Sequence, residues 1–543
     1  MTAAEQSATV DAIVIGAGFA GIYATLRLTA MGLTVRSFDA ADDIGGVWTW
    51  NRYPGARTDS LHETYCFTFD RDFYNEWAYV DIHPDQSEVL RYLHHVAERF
   101  DLRKLYTLST RVESATFNEA TDHWDVRTDS GEQVSAPYLV TGLGLVSAPI
   151  IPDVPGLESF GGELYMTANW PHDEVSLAGK RVAVIGTGSS GVQVISTIVG
   201  TVADLTVFQR TANWVARTGN RPVSDEERQA IRQHPEQVWD RVRQHPAGWP
   251  WEPVERMALD TPAEERERLF EEAWEEGGFA LLYKTYADLS TDKAANDILC
   301  DFFARKIASL VDDPVLAKQL TPNHPYGAKR PPAAEGYYEA FNRSDVHLVN
   351  LTETPIVSFT DKGIRTSAGE HEFDVIILAT GFDAITGAFT RIDIRGLAGE
   401  RLNDHWAEAP RTYLGLMITG FPNLFMVAGP QSPFANLPPG AQGQADWIAN
   451  AIAHMKSDGI VRMQPSMDAE LEWTAHLDEI AEGLMTRYGE AAGSWFTGAN
   501  VPGKPRAYNV YFGGHNVHAD RCDAEQAADY PNFKMSQPVS ADV

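Results

Sequence analysis

The sequence predicts an α/β protein with two Rossmann-like dinucleotide-binding domains and a helical insertion. Three observations carry the prediction. A glycine turn with fixed spacing follows an apolar run at two places, 543 residues exceed what one hydrophobic core fills, and a long charged stretch reads as helix.

The first turn lies in "VDAIVIGAGFAGIYATLRLTAMGLTVRSFDA", which reads as strand, turn, helix, strand. Gly16 permits the tight turn, Gly18 lets a pyrophosphate approach the backbone, and Gly21 lets the helix pack close to the strand. The phosphates then meet the positive end of the helix dipole. Asp39 follows Gly21 by 18 residues, at the end of the next apolar run, where a carboxylate accepts hydrogen bonds from a ribose diol. A lone GxGxxG also arises for local backbone reasons, but here strand, helix and distal acid stand in register.

The second turn, "KRVAVIGTGSSGVQVI", repeats the spacing at Gly186, Gly188 and Gly191. Its next strand ends differently, in "LTVFQRTANW", so that Arg210 and Thr211 stand where the first copy has its acid. An acid repels a 2′-phosphate, whereas arginine binds one bidentately. The first unit therefore suits FAD and the second NADP.

The segments sort discontinuously. Residues 1–145 and 385–543 are expected to form the FAD-binding domain, residues 146–222 and 333–384 the NADP-binding domain, and residues 223–332 a helical subdomain inserted in the latter. "YLVTGLGLVSAP", near Thr141 and Gly142, and "DVIILATGFD", Asp374 to Asp383, mark the crossings between domains. In the insertion, "DEERQAIRQHPEQVWDRVRQ" and "TPAEERERLFEEAWEEGG" read as helices with Asp225 and Thr261 as N-caps. The C-terminal "YPNFKMSQPVSADV" reads as a loose tail.

Composition excludes several roles. With 75 acidic against 44 basic residues the net charge is −31, which nucleic acid and anionic membrane would both repel. No stretch approaches the ~18 apolar residues of a membrane span, and no basic region precedes the first apolar run, so a cytoplasmic location is expected. Cys66, Cys300 and Cys522 stand far apart. Neither a disulfide scaffold, a metal site nor a dithiol redox centre is expected from that spacing.

Two stretches hold polar residues that the dinucleotide folds alone do not require: "GGVWTWNRYPGARTD", Gly45 to Asp59, and "PYGAKRPP", with Lys329 and Arg330 among prolines. A surface ion pair is the other reading of Arg330, and a helix cap the other reading of Asp59. With these residues the chain resembles the type I Baeyer–Villiger monooxygenases, close to the cyclohexanone monooxygenase type, nearly from end to end. Gly46 and Trp48 followed by Tyr53-Pro54-Gly55 and Asp59, the run Ala328 to Pro331, "ATGFD" and "SWFTGANVPGK" all match family motifs. The family fingerprint Phe-x-Gly-x-x-x-His-x-x-x-Trp falls on Phe160, Gly162, Met166 and Trp170, with methionine in the histidine position.

The resemblance implies a cycle in which NADPH reduces FAD and O2 adds to it. The resulting anionic peroxide attacks a small apolar ketone, cyclic or open-chain, to give a lactone or ester. Arg330, set by Asp59, would stabilise the negative oxygen. The resemblance also implies cofactor contacts at Gly46, Trp48, Asp59, Val112, Lys329 and Trp495. It implies substrate-pocket walls at Phe279, Phe434 and Leu437, although aromatic residues are more often simply core. Trp249 and Trp251 depart from close relatives and are expected to reshape the pocket. The fingerprint reads as an interdomain linker, in which Met166 fills the space of the histidine without its nitrogens. A monomer is expected. The competing readings are a flavin monooxygenase acting on nitrogen or sulfur, and a dinucleotide-binding protein that has lost oxygenation.

Overall fold

The structure, a computed structural model, describes residues 8–538. Its first parallel sheet has five strands in the order Leu424–Met426, Tyr138–Thr141, Ala12–Ile15, Val35–Phe38, Tyr106–Thr107. The strands "AIVI" and "YLVT" are buried at every position, as expected of a sheet covered on both faces. A second parallel sheet runs Val346–Asn350, Asp204–Gln209, Arg181–Ile185, Val375–Leu378, Glu163–Met166. In each sheet the strand leading into a glycine turn is central, with its successor on one side and a later strand on the other. That is a topological switch point, where the crevice for a ligand opens.

The two turns are built alike. A Cβ added to Gly16 would come within 2.3 Å of the carbonyl oxygen of Gly142, and one on Gly186 within 2.3 Å of that of Ala379. Both glycines have φ in the left-handed region, +115° and +112°. The segments expected to be crossings thus also form the wall behind each cradle: the strand Tyr138–Thr141 ends at the first, and Val375–Leu378 at the second.

A mixed sheet of Ala8–Thr9, Gln133–Ala136, His123–Thr128, Val112–Asn118 and Asp393–Arg395 packs beside the first parallel sheet. Between residues 223 and 332 the chain is helical, with Asp225–Gln233, Pro235–Gln244, Ala263–Glu276, Lys293–Leu310 and Pro314–Leu320 as its main helices. Phe270, Trp274, Phe302 and Phe303 join the core of the second sheet.

Some local expectations are corrected. Ser224, not Asp225, caps its helix: its hydroxyl accepts from the amide of Glu227 at 3.2 Å, and the Glu227 carboxylate accepts from the amide of Ser224 at 2.9 Å. The reciprocal capping box satisfies two end amides and leaves Asp225 in the first turn, where its charge meets the dipole. Thr261 donates instead to the carbonyl of Met257 at 2.8 Å, and the helix starts after Pro262. The expected loose tail is partly ordered, since Phe533–Ser536 pairs antiparallel with Arg462–Pro465 and buries Phe533 beside Trp447. Residues 539–543 of that tail lie outside the described residues.

The helix Leu437–Asp458 lies against the cradle helix Phe19–Ala30. Tyr23 donates to Asp446 at 3.1 Å, and Arg27 pairs with the same carboxylate at 2.5 Å. This cross-link ties the middle of Leu437–Asp458 to the cradle helix. Among the described residues no helix is long and apolar enough to cross a membrane.

Candidate active site

The first cradle is closed by a second glycine pair. A Cβ on Gly46 would meet the Cα of Gly18 at 2.6 Å, so the turn at Gly45–Gly46 lies directly on the phosphate-type loop. Asp39 accepts from the amides of Ala17 at 2.6 Å and Ala41 at 2.7 Å, one through each oxygen. Burial raises its pKa, and the second lone pair of each oxygen remains for ribose hydroxyls. Trp48 Nε1, Thr49 Oγ1, Asn51 Oδ1 and Asp59 Oδ1 are buried with no protein partner. Four orphaned polar atoms within one segment beside a glycine cradle are what a polar cofactor would satisfy, so the residues fit FAD. Trp48 is buried in the same segment, edge-on to Tyr65. Val112 starts a strand with its side chain in the core, which leaves only its backbone for any cofactor contact.

At the second cradle a Cβ on Gly188 would meet nothing within 4 Å, leaving open space before the helix Ser189–Ile198. Burial first, and then the charge of Arg210, lower the Lys329 ammonium to a pKa of about 8. Two neighbouring cations, neither with a carboxylate within ion-pair distance among the described residues, call for an anion. With Thr211 as the next residue, they fit the 2′-phosphate of NADP.

Arg330 joins these parts. Its Nη2 donates to Asp59 Oδ2 at 2.6 Å, its Nη1 donates to Ser189 Oγ at 2.9 Å, and its guanidinium lies 5.6 Å from the ring centre of Phe279. The Asp59 side chain is 5% exposed and that of Arg330 27%, so the pair is poorly screened yet open on one side. Asp59 comes from the segment after the first cradle, Ser189 from the second cradle and Phe279 from the inserted helices. A second link runs beside the bridge: the Tyr53 hydroxyl donates to Gln193 Oε1 at 2.9 Å, and Gln193 Nε2 donates to the carbonyl of Arg57 at 3.2 Å. A Cβ on Gly55 would meet Thr197 Oγ1 at 2.1 Å, so the "YPG" turn can dock on that helix only as glycine.

The residues expected to line the pocket form two aromatic groups. Phe279 packs with Trp249, which stacks on Trp251 at 4.8 Å, and with Tyr283. Phe434 packs with Trp495, Phe496 and Phe512. Asn436, immediately before the half-buried Leu437, ties the groups together. Its Nδ2 donates to the carbonyl of Gly248 at 2.5 Å, and its Oδ1 accepts from Ser60, the neighbour of Asp59. Sequence reasoning missed Ser189, Gln193 and Asn436. Of these only Ser189 and Gln193 carried a signal, their place in or near the second glycine motif.

The fingerprint differs from a free linker. Glu163–Met166 is the edge strand of the second sheet, with Met166 half-buried opposite Leu378. Sheet pairing satisfies backbone groups that a linker would leave to water. Gly162 is required by space, since a Cβ there would meet the Phe160 ring at 2.5 Å and the carbonyl of Asp374 at 2.6 Å. Trp170 is buried against Tyr165, and its amide donates to the carbonyl of Trp50 at 3.1 Å, a bond that reaches the first cradle's segment.

Two dinucleotide cradles bridged by an arginine–aspartate pair define a flavoprotein oxidoreductase fed by a nicotinamide dinucleotide. The flavin-binding monooxygenase-like family model matches residues 10–222. A Baeyer–Villiger monooxygenase of Pseudooceanicola batsensis is 42% identical over 526 residues, covering 96% of each chain. A phenazine N-monooxygenase of Lysobacter antibioticus is 40% identical over 98% of each chain. The crystal structure of cyclohexanone monooxygenase from Rhodococcus sp. Phi1 bound to NADP+ superposes with a TM-score of 0.96 at 43% identity, covering 98% of this chain and 100% of that one. The chain belongs to the flavin-binding monooxygenases, in the Baeyer–Villiger group.

Proposed function

We propose that the chain is an FAD-containing, NADPH-dependent Baeyer–Villiger monooxygenase acting on cyclic or otherwise apolar ketones. One ketone, O2, NADPH and a proton become a lactone or ester, NADP+ and water. Bound FAD, once reduced by NADPH, supplies the oxygen-activating chemistry.

The observation that carries the reading is the placement of Arg330 on Asp59, between the two cradles. An oxygen nucleophile attacking a carbonyl is negative, and so is the oxygen left on the former carbonyl carbon. A guanidinium preorganised beside them lowers the energy of both. Asp59 fixes which edge of Arg330 faces inward, and Phe279 supports its face while excluding water on that side. Asp39 serves the FAD ribose, and Arg210, Thr211 and Lys329 hold the 2′-phosphate of NADPH. Phe434 and Leu437 supply apolar walls that favour a ketone without charge.

The test is purified protein with NADPH, O2 and cyclohexanone, with an added organic sulfide and an aromatic N-heterocycle as competitors, and products read by mass. Lactone supports the proposal. Sulfoxide or N-oxide without lactone would replace it with the heteroatom oxygenase reading, and no oxygenated product with the degenerate binding-protein reading. The same proposal takes O2 as co-substrate, a monomer as the working unit and the cytoplasm as the location.

A further inference from the structure

Ser189 is the second x of the "GTGSSG" turn and the first residue of the helix Ser189–Ile198. Its Oγ accepts from Arg330 Nη1 at 2.9 Å and makes no other hydrogen bond among the described residues. The hydroxyl's own proton is therefore uncommitted, at a helix start where Gly188 faces open space. A hydroxyl that accepts from a cation becomes a stronger donor, because the two bonds polarise one another. The other edge of the same guanidinium is held by Asp59 of the first domain.

We propose that Ser189 is a positioning residue through which the dinucleotide in the second cradle and the Arg330–Asp59 pair sense each other. Its oxygen holds Arg330 while its proton serves the bound dinucleotide. Occupancy of the cradle tightens the grip on Arg330, and Arg330 in turn strengthens dinucleotide binding, since coupling between two sites is reciprocal. NADP+ retained after hydride transfer would then keep Arg330 aimed during the oxygenation step. This rests on the proposed function for its meaning, but its test needs neither turnover nor ketone.

The experiment is a double-mutant cycle on NADP+ affinity in the FAD-loaded enzyme, measured by equilibrium titration for wild type, Ser189→Ala, Arg330→Met and the double variant. Flavin absorbance per chain certifies that each variant is folded and loaded. Ser189→Ala is expected to weaken NADP+ binding roughly fivefold when Arg330 is present, one hydrogen bond's worth, and less than about twofold in the Arg330→Met background. Ser189→Thr, which keeps the hydroxyl, is expected to remain within about twofold of wild type. Equal factors in the two backgrounds, or loss of affinity in Ser189→Thr matching that of Ser189→Ala, overturn the proposal. A chain that forms no lactone yet shows the coupling breaks the functional reading alone.

Discussion

Removing Arg330 alone is expected to harm oxygenation more than removing it together with Asp59. The structure supplies the reason: the carboxylate lies directly behind the guanidinium, 2.6 Å from Nη2, with its side chain 5% exposed. Take the negative oxygen as roughly 4 Å from the centre of the guanidinium charge and roughly 7 Å from the carboxylate, at an effective dielectric constant of about 20. Arg330 then attracts it by about 4 kcal/mol and Asp59 repels it by about 2, for a net stabilisation of about 2 kcal/mol. Arg330→Ala deletes the attraction and leaves the repulsion, a loss of about 4 kcal/mol or roughly a thousandfold in rate. Arg330→Ala with Asp59→Ala loses only the net term, roughly twentyfold. The assay is lactone formed per enzyme under saturating NADPH and cyclohexanone, with hydrogen peroxide measured in parallel. Peroxide is expected to rise as lactone falls, because reduction of the flavin does not draw on this charge. Wild-type lactone formation in Arg330→Ala, or a double variant slower than the single, would refute the reasoning.

Lys329 sets a pH dependence. Its ammonium must be charged to hold a 2′-phosphate, so kcat/KM for NADPH is expected to fall as pH rises through about 8, while kcat/KM for NADH stays level. Lys329→Ala should remove that limb and cost NADPH roughly tenfold or more, with NADH unaffected. Because folding lowers this amine from its ordinary 10.5, its charge opposes folding, and the NADP-free enzyme should gain stability between about pH 8 and 10.5, a gain absent in Lys329→Met by thermal unfolding. Met166→His is expected to raise the lactone-to-NADPH ratio and lower free peroxide; an unchanged ratio would mean that Met166 only packs the edge strand. Phe279→Ala removes the support under Arg330, so kcat with cyclohexanone should fall roughly threefold to tenfold while bulkier ketones gain relative to it.

Much of the fold was legible because Rossmann units are local. Strand, glycine turn, helix and following strand lie within some thirty residues of sequence. The chemical reasons for Gly16, Gly21, Gly186 and Gly191 could therefore be stated before any contact was known. The fingerprint was less legible. Nothing in Glu163–Met166 announces an edge strand, because its partner Val375–Leu378 lies some two hundred residues away and only pairing makes the segment a strand. The N-cap at Asp225 was misread for a simpler reason: adjacent Ser224 and Asp225 both cap well, and the choice falls to whichever forms the reciprocal pair with Glu227.

The sequence by itself determined the two cradles, the carboxylate that follows the first and the arginine that follows the second, and the presence of Asp59 and Arg330 in segments the cradles do not require, since each is a matter of residue type at short spacing. Only the tertiary structure decided that those two residues meet. Asp59 and Arg330 are 271 positions apart, and Ser189 and Arg330 are 141 apart. Their contacts exist because "YPG" docks on the helix Ser189–Ile198 and carries Asp59 to the loop of Arg330. Such docking depends on packing across domain surfaces, which no local pattern of residues encodes.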